Sequence, residues 1–284
     1  MRNEEPGWFH APSTVEVWLA RIPLAQRDLQ RLSGVLSKDE AERAERMGSG
    51  RARMRFVAGR GLLRLLLAER LAAAPETLRF AYGPAGKPAL AGGGRDEGER
   101  GLAFSLAHAH ERVAIALAPA EGREAPLEIG VDLEWLLRRR PFDHLVERYA
   151  TSRERREYAG VGPGERPRAF YRWWTRKEAL VKAVGTSLAR GLSRSEAPFG
   201  EGGIGTGTVG EGDATRAFAL VTEMLEGGYV VTVAVGAGTG GCCGGTAAGA
   251  APGPPPVARL HGPEQAVSHP ALPLSRILLL SVGP

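Results

Sequence analysis

Apolar and polar residues alternate along Val15-Glu16-Val17-Trp18-Leu19-Ala20, the period of two that predicts a first strand. From Ser37 the pattern turns helical. A serine suits the N-cap, and Asp39-Glu40 suit the first turn that follows it. The helical run continues, with a break near Gly48-Ser49-Gly50, through Phe56-Val57-Ala58-Gly59-Arg60-Gly61-Leu62-Leu63 to about Ala73. Ala81 to Pro88 is rich in turn formers and reads as a loop, and residues 91–100, Gly- and charge-rich, read as a mobile insertion. Leu102-Ala103-Phe104-Ser105-Leu106 and Val113-Ala114-Ile115-Ala116-Leu117 predict a hairpin around His108 and His110.

A second half begins near Pro126. A strand over 128–134 is followed by helical stretches at 143–159 and 167–184 and a Gly-rich connection at 200–212. Two further strands, 216–225 and 229–235, are joined by Glu226-Gly227-Gly228, a strong hairpin signal. Each half therefore reads strand, helices, hairpin, which points to a duplicated α+β unit, with halves at 13–125 and 126–236. Residues 237–284 differ. Gly, Ala and Pro dominate up to residue 273 without periodicity, and such a segment cannot bury enough apolar surface to offset its ordering entropy. It is expected to be a disordered tail, in which Ile277-Leu278-Leu279-Leu280 either docks on the body or is simply variable.

Composition narrows the function only a little. The 284 residues carry a net charge of +5 with a pI near 9.5. That suits an anionic ligand or an acidic protein partner, and suits nucleic acid equally well. No apolar run approaches the roughly 20 residues of a membrane span. The first residues, Met1-Arg2-Asn3-Glu4-Glu5-Pro6, carry no hydrophobic segment, so no signal peptide is expected. Cys242 and Cys243 are adjacent, which is neither a disulfide framework nor a metal-ligand spacing, and a reducing cytoplasm is the natural compartment.

The candidate chemistry lies in two clusters, Ile129-Gly130-Val131-Asp132-Leu133-Glu134-Trp135 and Trp173-Trp174-Thr175-Arg176-Lys177-Glu178-Ala179-Leu180-Val181-Lys182. On a strand, Asp132 and Glu134 share one face, with Val131 and Leu133 on the other. On a helix, Trp174, Glu178 and Lys182 line one stripe. Two strand carboxylates, a helix carboxylate and an ammonium make a candidate Mg²⁺–phosphate site, because Mg²⁺ takes hard oxygen ligands and completes its shell with water and phosphate. Blander roles compete with this one. The strand acids alone would more often form a solvated face, Glu178–Lys182 alone would be a helix-surface pair worth about 0.3–0.5 kcal/mol, and the Arg138-Arg139-Arg140 run is most simply solvated.

Five segments in order resemble the Sfp-type 4′-phosphopantetheinyl transferases. They are Gly86-Lys87-Pro88, Phe104-Ser105-Leu106-Ala107-His108, Gly130-Val131-Asp132-Leu133-Glu134, Ala150-Thr151-Ser152-Arg153-Glu154, and Trp174-Thr175-Arg176-Lys177-Glu178-Ala179-Leu180-Val181-Lys182-Ala183-Val184-Gly185-Thr186-Ser187-Leu188. The resemblance spans about residues 15–236, with Ala107, Ala150 and Ser187 departing from the pattern.

That resemblance implies an α+β fold of two similar α/β subdomains related by a pseudo-twofold, in a monomer. It implies an enzyme that moves the phosphopantetheine arm of coenzyme A to a serine of an acyl or peptidyl carrier protein and releases adenosine 3′,5′-bisphosphate. Asp132, Glu134 and Glu178 would hold Mg²⁺. Glu178, directly or through a metal-bound water, would be the base, and Lys182 would offset charge on the leaving phosphate. Lys87, His108 and Arg60 would contact the coenzyme's phosphates, with Arg51, Arg53 and Arg55 as vaguer candidates. Carriers are acidic, so the arginine surplus would serve docking. The rival class, a non-catalytic basic module for nucleic acid or phosphorylated partners, predicts exposed aromatics among the basic residues. Aromatics make up only 6% of the chain, and that reading leaves the three acidic positions without a purpose.

Overall fold

The protein is described by a computed structural model covering residues 13–22, 25–47, 50–91, 101–119, 127–136, 142–210, 214–237, 257–260, 267–268 and 275–283. The first half contains β1 (Ser13–Arg21), α1 (Gln26–Gly34), α2 (Lys38–Arg46), α3 (Gly50–Leu71), a short hairpin of β2 (Phe80–Tyr82) and β3 (Pro88–Leu90), and the hairpin of β4 (Leu102–Ala109) and β5 (Arg112–Pro119). The second half contains β6 (Leu127–Trp135), α4 (Phe142–Tyr149), α5 (Ser152–Ala159), α6 (Arg166–Val184), α7 (Leu188–Ser193), β7 (Ser195–Glu196), β8 (Ile204–Val209), and the hairpin of β9 (Arg216–Leu225) and β10 (Tyr229–Ala237). Residues 257–260, 267–268 and 275–283 form β11, β12 and β13.

The repeat foreseen from the pattern is visible in the sheets. In one, the strands run β1-β5-β4; in the other, β6-β10-β9, so each half places its first strand beside the second arm of its hairpin. The two sheets pack on each other through alternate positions: Val15, Val17 and Leu19 of β1, Ala114 and Ala116 of β5, Ile129, Val131 and Leu133 of β6, and Val231 and Val233 of β10. The opposite faces carry the helices. Leu62, Leu63, Leu66 and Leu67 of α3 cover Trp18, Val113 and Ile115, while Phe170, Trp173 and Leu180 of α6 cover Phe218, Leu220 and Val230. The result is four layers, helix, sheet, sheet, helix, and β5 is apolar at every central position because both of its faces are covered.

Several elements depart from the pattern reading, among them the β2–β3 hairpin at the ends of the segment 81–88 that read as a loop. The short helix α1 was not foreseen. The connection at 200–212 contains β8, whose glycines hide its strand character; a β-carbon at Gly207 would come within 2.8 Å of Leu180 and Leu220, which fill that space instead. Residues 237–284 read as a disordered tail whose Ile277–Leu280 run either docks or varies; here the run docks, in β13, which pairs antiparallel with β1 from Ser13↔Val282 to Leu19↔Ser275. The physical reason is the edge. On its other side β1 pairs with β5, and β13 satisfies the row of backbone groups that would otherwise form an open strand edge. The insertion from residue 92 to 100, Arg138-Arg139-Arg140 and Cys242-Cys243 lie outside the described residues. Among the described residues no helix is long and apolar enough to cross a membrane.

Candidate functional site

The site is built where α6 lies on β6. Even-numbered β6 positions face the helix and odd-numbered ones enter the core between the sheets, the alternation read from the sequence. Gly130 is the point of closest approach. A β-carbon there would lie 2.0 Å from the Ala179 carbonyl oxygen and 2.5 Å from the Ala183 nitrogen, so only glycine lets the helix rest on the strand. The helix meets it with the small buried residues Thr175, Ala179 and Ala183, spaced four apart. It ends at Gly185, whose φ of 71° is the left-handed conformation of a C-terminal cap.

This contact brings the charged clusters together. Asp132 is 3% exposed, and its Oδ1 accepts a 2.6 Å hydrogen bond from Lys182 Nζ. Its other oxygen, Oδ2, is buried with no hydrogen-bond partner among the described residues. The protein packed around the Lys182 ammonium works against its charge, but Asp132, Glu178 and Glu134 more than offset this, and its pKa is held above the ordinary lysine value. All three carboxylates thus act on one ammonium. Glu134 is buried, whereas Glu178 and Lys182 are half-buried at the rim. His108 is exposed on β4 beside them. The protein around its ring, then Lys182 and Arg55, lower its pKa, while Asp132 raises it, with a net shift below the ordinary imidazole value. Arg55, on α3, bonds the His110 carbonyl at 3.0 Å, so it belongs to this rim, while Arg51 and Arg53 are exposed.

Among the described residues, no three His, Cys, Asp or Glu side chains form a ready-made metal cage. The donor set nevertheless fits Mg²⁺. A buried carboxylate oxygen without a hydrogen bond is what a cation would satisfy. Mg²⁺ is commonly held by one or two carboxylates, with water and phosphate in the remaining positions, so a complete protein cage is not required.

The other expected contacts stand further out. Arg60, 6% exposed, lies under the β2–β3 hairpin. It approaches Glu40 at 3.2 Å, bonds the Tyr82 hydroxyl at 3.2 Å and stacks over Phe80 at 4.9 Å. Its Nη1 is buried without a hydrogen bond among the described residues. Lys87 is turned toward the second half, where its Nζ donates to the Ile129 and Ala183 carbonyls.

Residues that sequence reasoning left without a role hold the site in place. Lys177, fully buried, pairs with Glu154 at 3.0 Å and bonds the Tyr149 carbonyl at 2.7 Å. Glu154 also accepts from Trp173 Nε1, the Ala197 amide and the Thr151 amide, closing a capping box at the start of α5. Arg176 spends its donors on Thr222 and on the Pro198, Gly200 and Gly202 carbonyls; burial, then Arg172, pull its pKa down to about 10. A buried hydroxyl chain, Thr175–Thr232–Thr222, links α6 to β10 and β9. Ser105 of β4 accepts from the Val131 amide at 3.0 Å, stitching the first half to β6 next to Asp132. His110, at a φ of 45°, stacks on Trp135 with ring centroids 3.8 Å apart. The capping box was legible in the Thr151-x-x-Glu154 spacing; nothing in the sequence marked Lys177 as the partner of Glu154, or the partners of Arg176 or His110.

The sequence pattern of the 4′-phosphopantetheinyl transferase superfamily matches residues 128–234, the segment that carries Asp132, Glu134, Glu178 and Lys182. The chain is 37% identical over 177 residues to the 4′-phosphopantetheinyl transferase HetI of Nostoc sp. (strain PCC 7120), covering 62% of this chain and 71% of that relative. It is 34% identical over 179 residues to the putative 4′-phosphopantetheinyl transferase slr0495 of Synechocystis sp. (strain PCC 6803), covering 63% and 68%. The 4′-phosphopantetheinyl transferase AcpT of Escherichia coli (strain K12) is 35% identical over 143 residues, 50% of this chain and 64% of that one. With matches of this extent laid over the strand and helix that build the site, the chain belongs to the 4′-phosphopantetheinyl transferase superfamily.

Proposed function

We propose that the protein transfers the phosphopantetheine arm of coenzyme A to a serine of an acyl or peptidyl carrier protein, converting apo carrier to holo carrier. The observation that carries this reading is the meeting of Asp132, Glu134 and Glu178 around Lys182, with Asp132 Oδ2 buried and without a hydrogen bond among the described residues. Asp132, Glu134 and Glu178 would hold Mg²⁺, which when bound would neutralise charge at the pyrophosphate oxygens. Glu178, at the exposed rim, takes the proton from the carrier serine hydroxyl. The serine oxygen forms its bond to the phosphorus that bears the pantetheine arm. The bond from that phosphorus to the bridging oxygen breaks, and adenosine 3′,5′-bisphosphate leaves. Lys182, one-third exposed at 33%, offsets the charge that develops on the departing phosphate.

His108 and Arg55 line the same rim and would meet the coenzyme's phosphates. Arg60, whose buried Nη1 has no hydrogen bond among the described residues, would serve its 3′-phosphate through a planar guanidinium fork. The charge of +5 favours docking of an acidic carrier. The enzyme would act in the cytoplasm as a monomer, without nucleic acid or membrane partners.

The test is direct. The protein is incubated with fluorescent coenzyme A, Mg²⁺ and several apo carriers, and the carriers are resolved on a gel. Labelled carrier is expected with the wild type and Mg²⁺, and none with Asp132→Ala. Unlabelled carriers throughout, or undiminished labelling by the Asp132→Ala variant, would sink the assignment.

A further inference from the structure

Lys87 follows Gly86 in the loop between β2 and β3, in the first half of the chain, yet both hydrogen bonds of its side chain are to the second half. Its Nζ donates to the Ile129 carbonyl at 3.0 Å and to the Ala183 carbonyl at 2.6 Å. Ile129 lies three residues before Asp132 on β6. Ala183 directly follows Lys182 in the last turn of α6, where carbonyls run out of intrahelical N–H partners. An ammonium there also meets the negative end of the helix dipole. The stem of Lys87 is packed as well. A β-carbon on Gly185, the residue that ends α6, would be 3.1 Å from Lys87 Cδ.

We propose that Lys87 is a positioning residue, a pin from the first half that fixes the last turn of α6 against β6 and so sets where Lys182 and Glu178 stand relative to Asp132. This rests on the transferase reading of the site, and it gives Lys87 a role other than the coenzyme contact implied by family resemblance. The hydrogen-bond geometry supports the pin. Two carbonyls from separate elements converge on one nitrogen, an arrangement a side chain waiting for a mobile ligand has no need of. Rotating the ammonium toward a phosphate would leave both carbonyls without it. The site is largely dry: burial lowers the Lys87 pKa to about 8, with Glu128 opposing the shift and Arg216 adding to it. Glu128 and Arg216 are themselves paired at 2.6 Å, so neither is a dedicated counter-ion for Lys87.

Two variants of the full chain decide the matter, Lys87→Met and Lys87→Arg. The first removes the charge and keeps the bulk. The second keeps a cation able to reach phosphate but replaces a point donor with a planar fork. Each is compared with wild type in coenzyme A Kd, in turnover with an apo carrier, and in amide hydrogen exchange over residues 181–186. A pin predicts that both variants lose about tenfold or more in turnover, as small misplacements of catalytic groups do. Coenzyme A Kd should stay within about twofold, and exchange over 181–186 should accelerate. The proposal is overturned if that exchange is unchanged, if Kd rises by more than turnover falls, or if Lys87→Arg behaves as wild type. Failure of the wild type to label any carrier would sink the transferase reading instead. The exchange measurement requires no transfer and would still decide the pin.

Discussion

Gly130→Ala is the smallest change that should separate the catalytic groups. A β-carbon at this position would lie 2.0 Å from the Ala179 carbonyl oxygen, 2.5 Å from the Ala183 nitrogen and 3.0 Å from its Cα. Ordinary carbon contacts begin near 3.5 Å, so the helix must retreat by roughly 1.5 Å at its closest point. Those neighbours are backbone atoms, and no side-chain rotation can relieve the clash. Overpacking of this kind costs about 1–3 kcal/mol and sometimes more. The same retreat stretches the 2.6 Å Lys182–Asp132 bond beyond hydrogen-bonding range. A displacement on the order of 1 Å can cost about 10²-fold in rate. Urea denaturation should therefore show a lower midpoint with an unchanged slope, and carrier labelling should fall about 100-fold under conditions where the variant is still folded. Wild-type stability together with wild-type labelling would refute the claim that this glycine sets the strand–helix distance.

Three further outcomes follow from the same contacts. Lys87 is held near pH 8 when folded and at its ordinary 10.5 when unfolded, so between these values the unfolded chain retains a proton that the folded chain has lost. Wild-type stability should therefore rise with pH across that window relative to Lys87→Met, by at most about 1.4 kcal/mol per unit and less as water screens the ammonium, a slope readable from urea midpoints at pH 7 to 10. Lys177→Met should cost about 3–5 kcal/mol because it strands the buried Glu154 carboxylate, and adding Glu154→Gln should recover part of that in a double-mutant cycle; strict additivity would argue against a coupled pair. Deleting residues 257–284 should open the edge of β1 and raise light scattering at micromolar concentrations, whereas a monodisperse truncated protein would show that β13 contributes nothing to solubility.

Much of this was legible locally. The alternation in 129–135 foretold which face of β6 carries Asp132 and Glu134, because a pleated strand leaves a side chain no other choice. The four-residue spacing foretold that Glu178 and Lys182 share a stripe of α6, and Glu226-Gly227-Gly228 marked the β9–β10 turn. Local pattern failed where the reason for a structure lay elsewhere in the chain. The glycines of 200–212 argue against a strand until Leu180 and Leu220 are seen to occupy the space above Gly207. Likewise, the apolar run at 277–280 belongs to a strand because β1, more than 250 residues earlier, has an edge to fill.

Lys87 and Lys177 show the same division. Each is a lysine in a segment that resembles a transferase motif, and each could be read as a phosphate contact. The sequence by itself determined that carboxylates and ammonium groups would be presented in a set order on one strand face and one helix stripe, because backbone period and residue chemistry are local properties. The tertiary structure alone decided their employment. Gly130 let α6 descend onto β6 and join Lys182 to Asp132. Glu154 claimed Lys177 for the core, and the carbonyls of Ile129 and Ala183 claimed Lys87. A charged group's role depends on which partner lies within hydrogen-bonding distance, and that distance is set by packing between elements far apart in the chain.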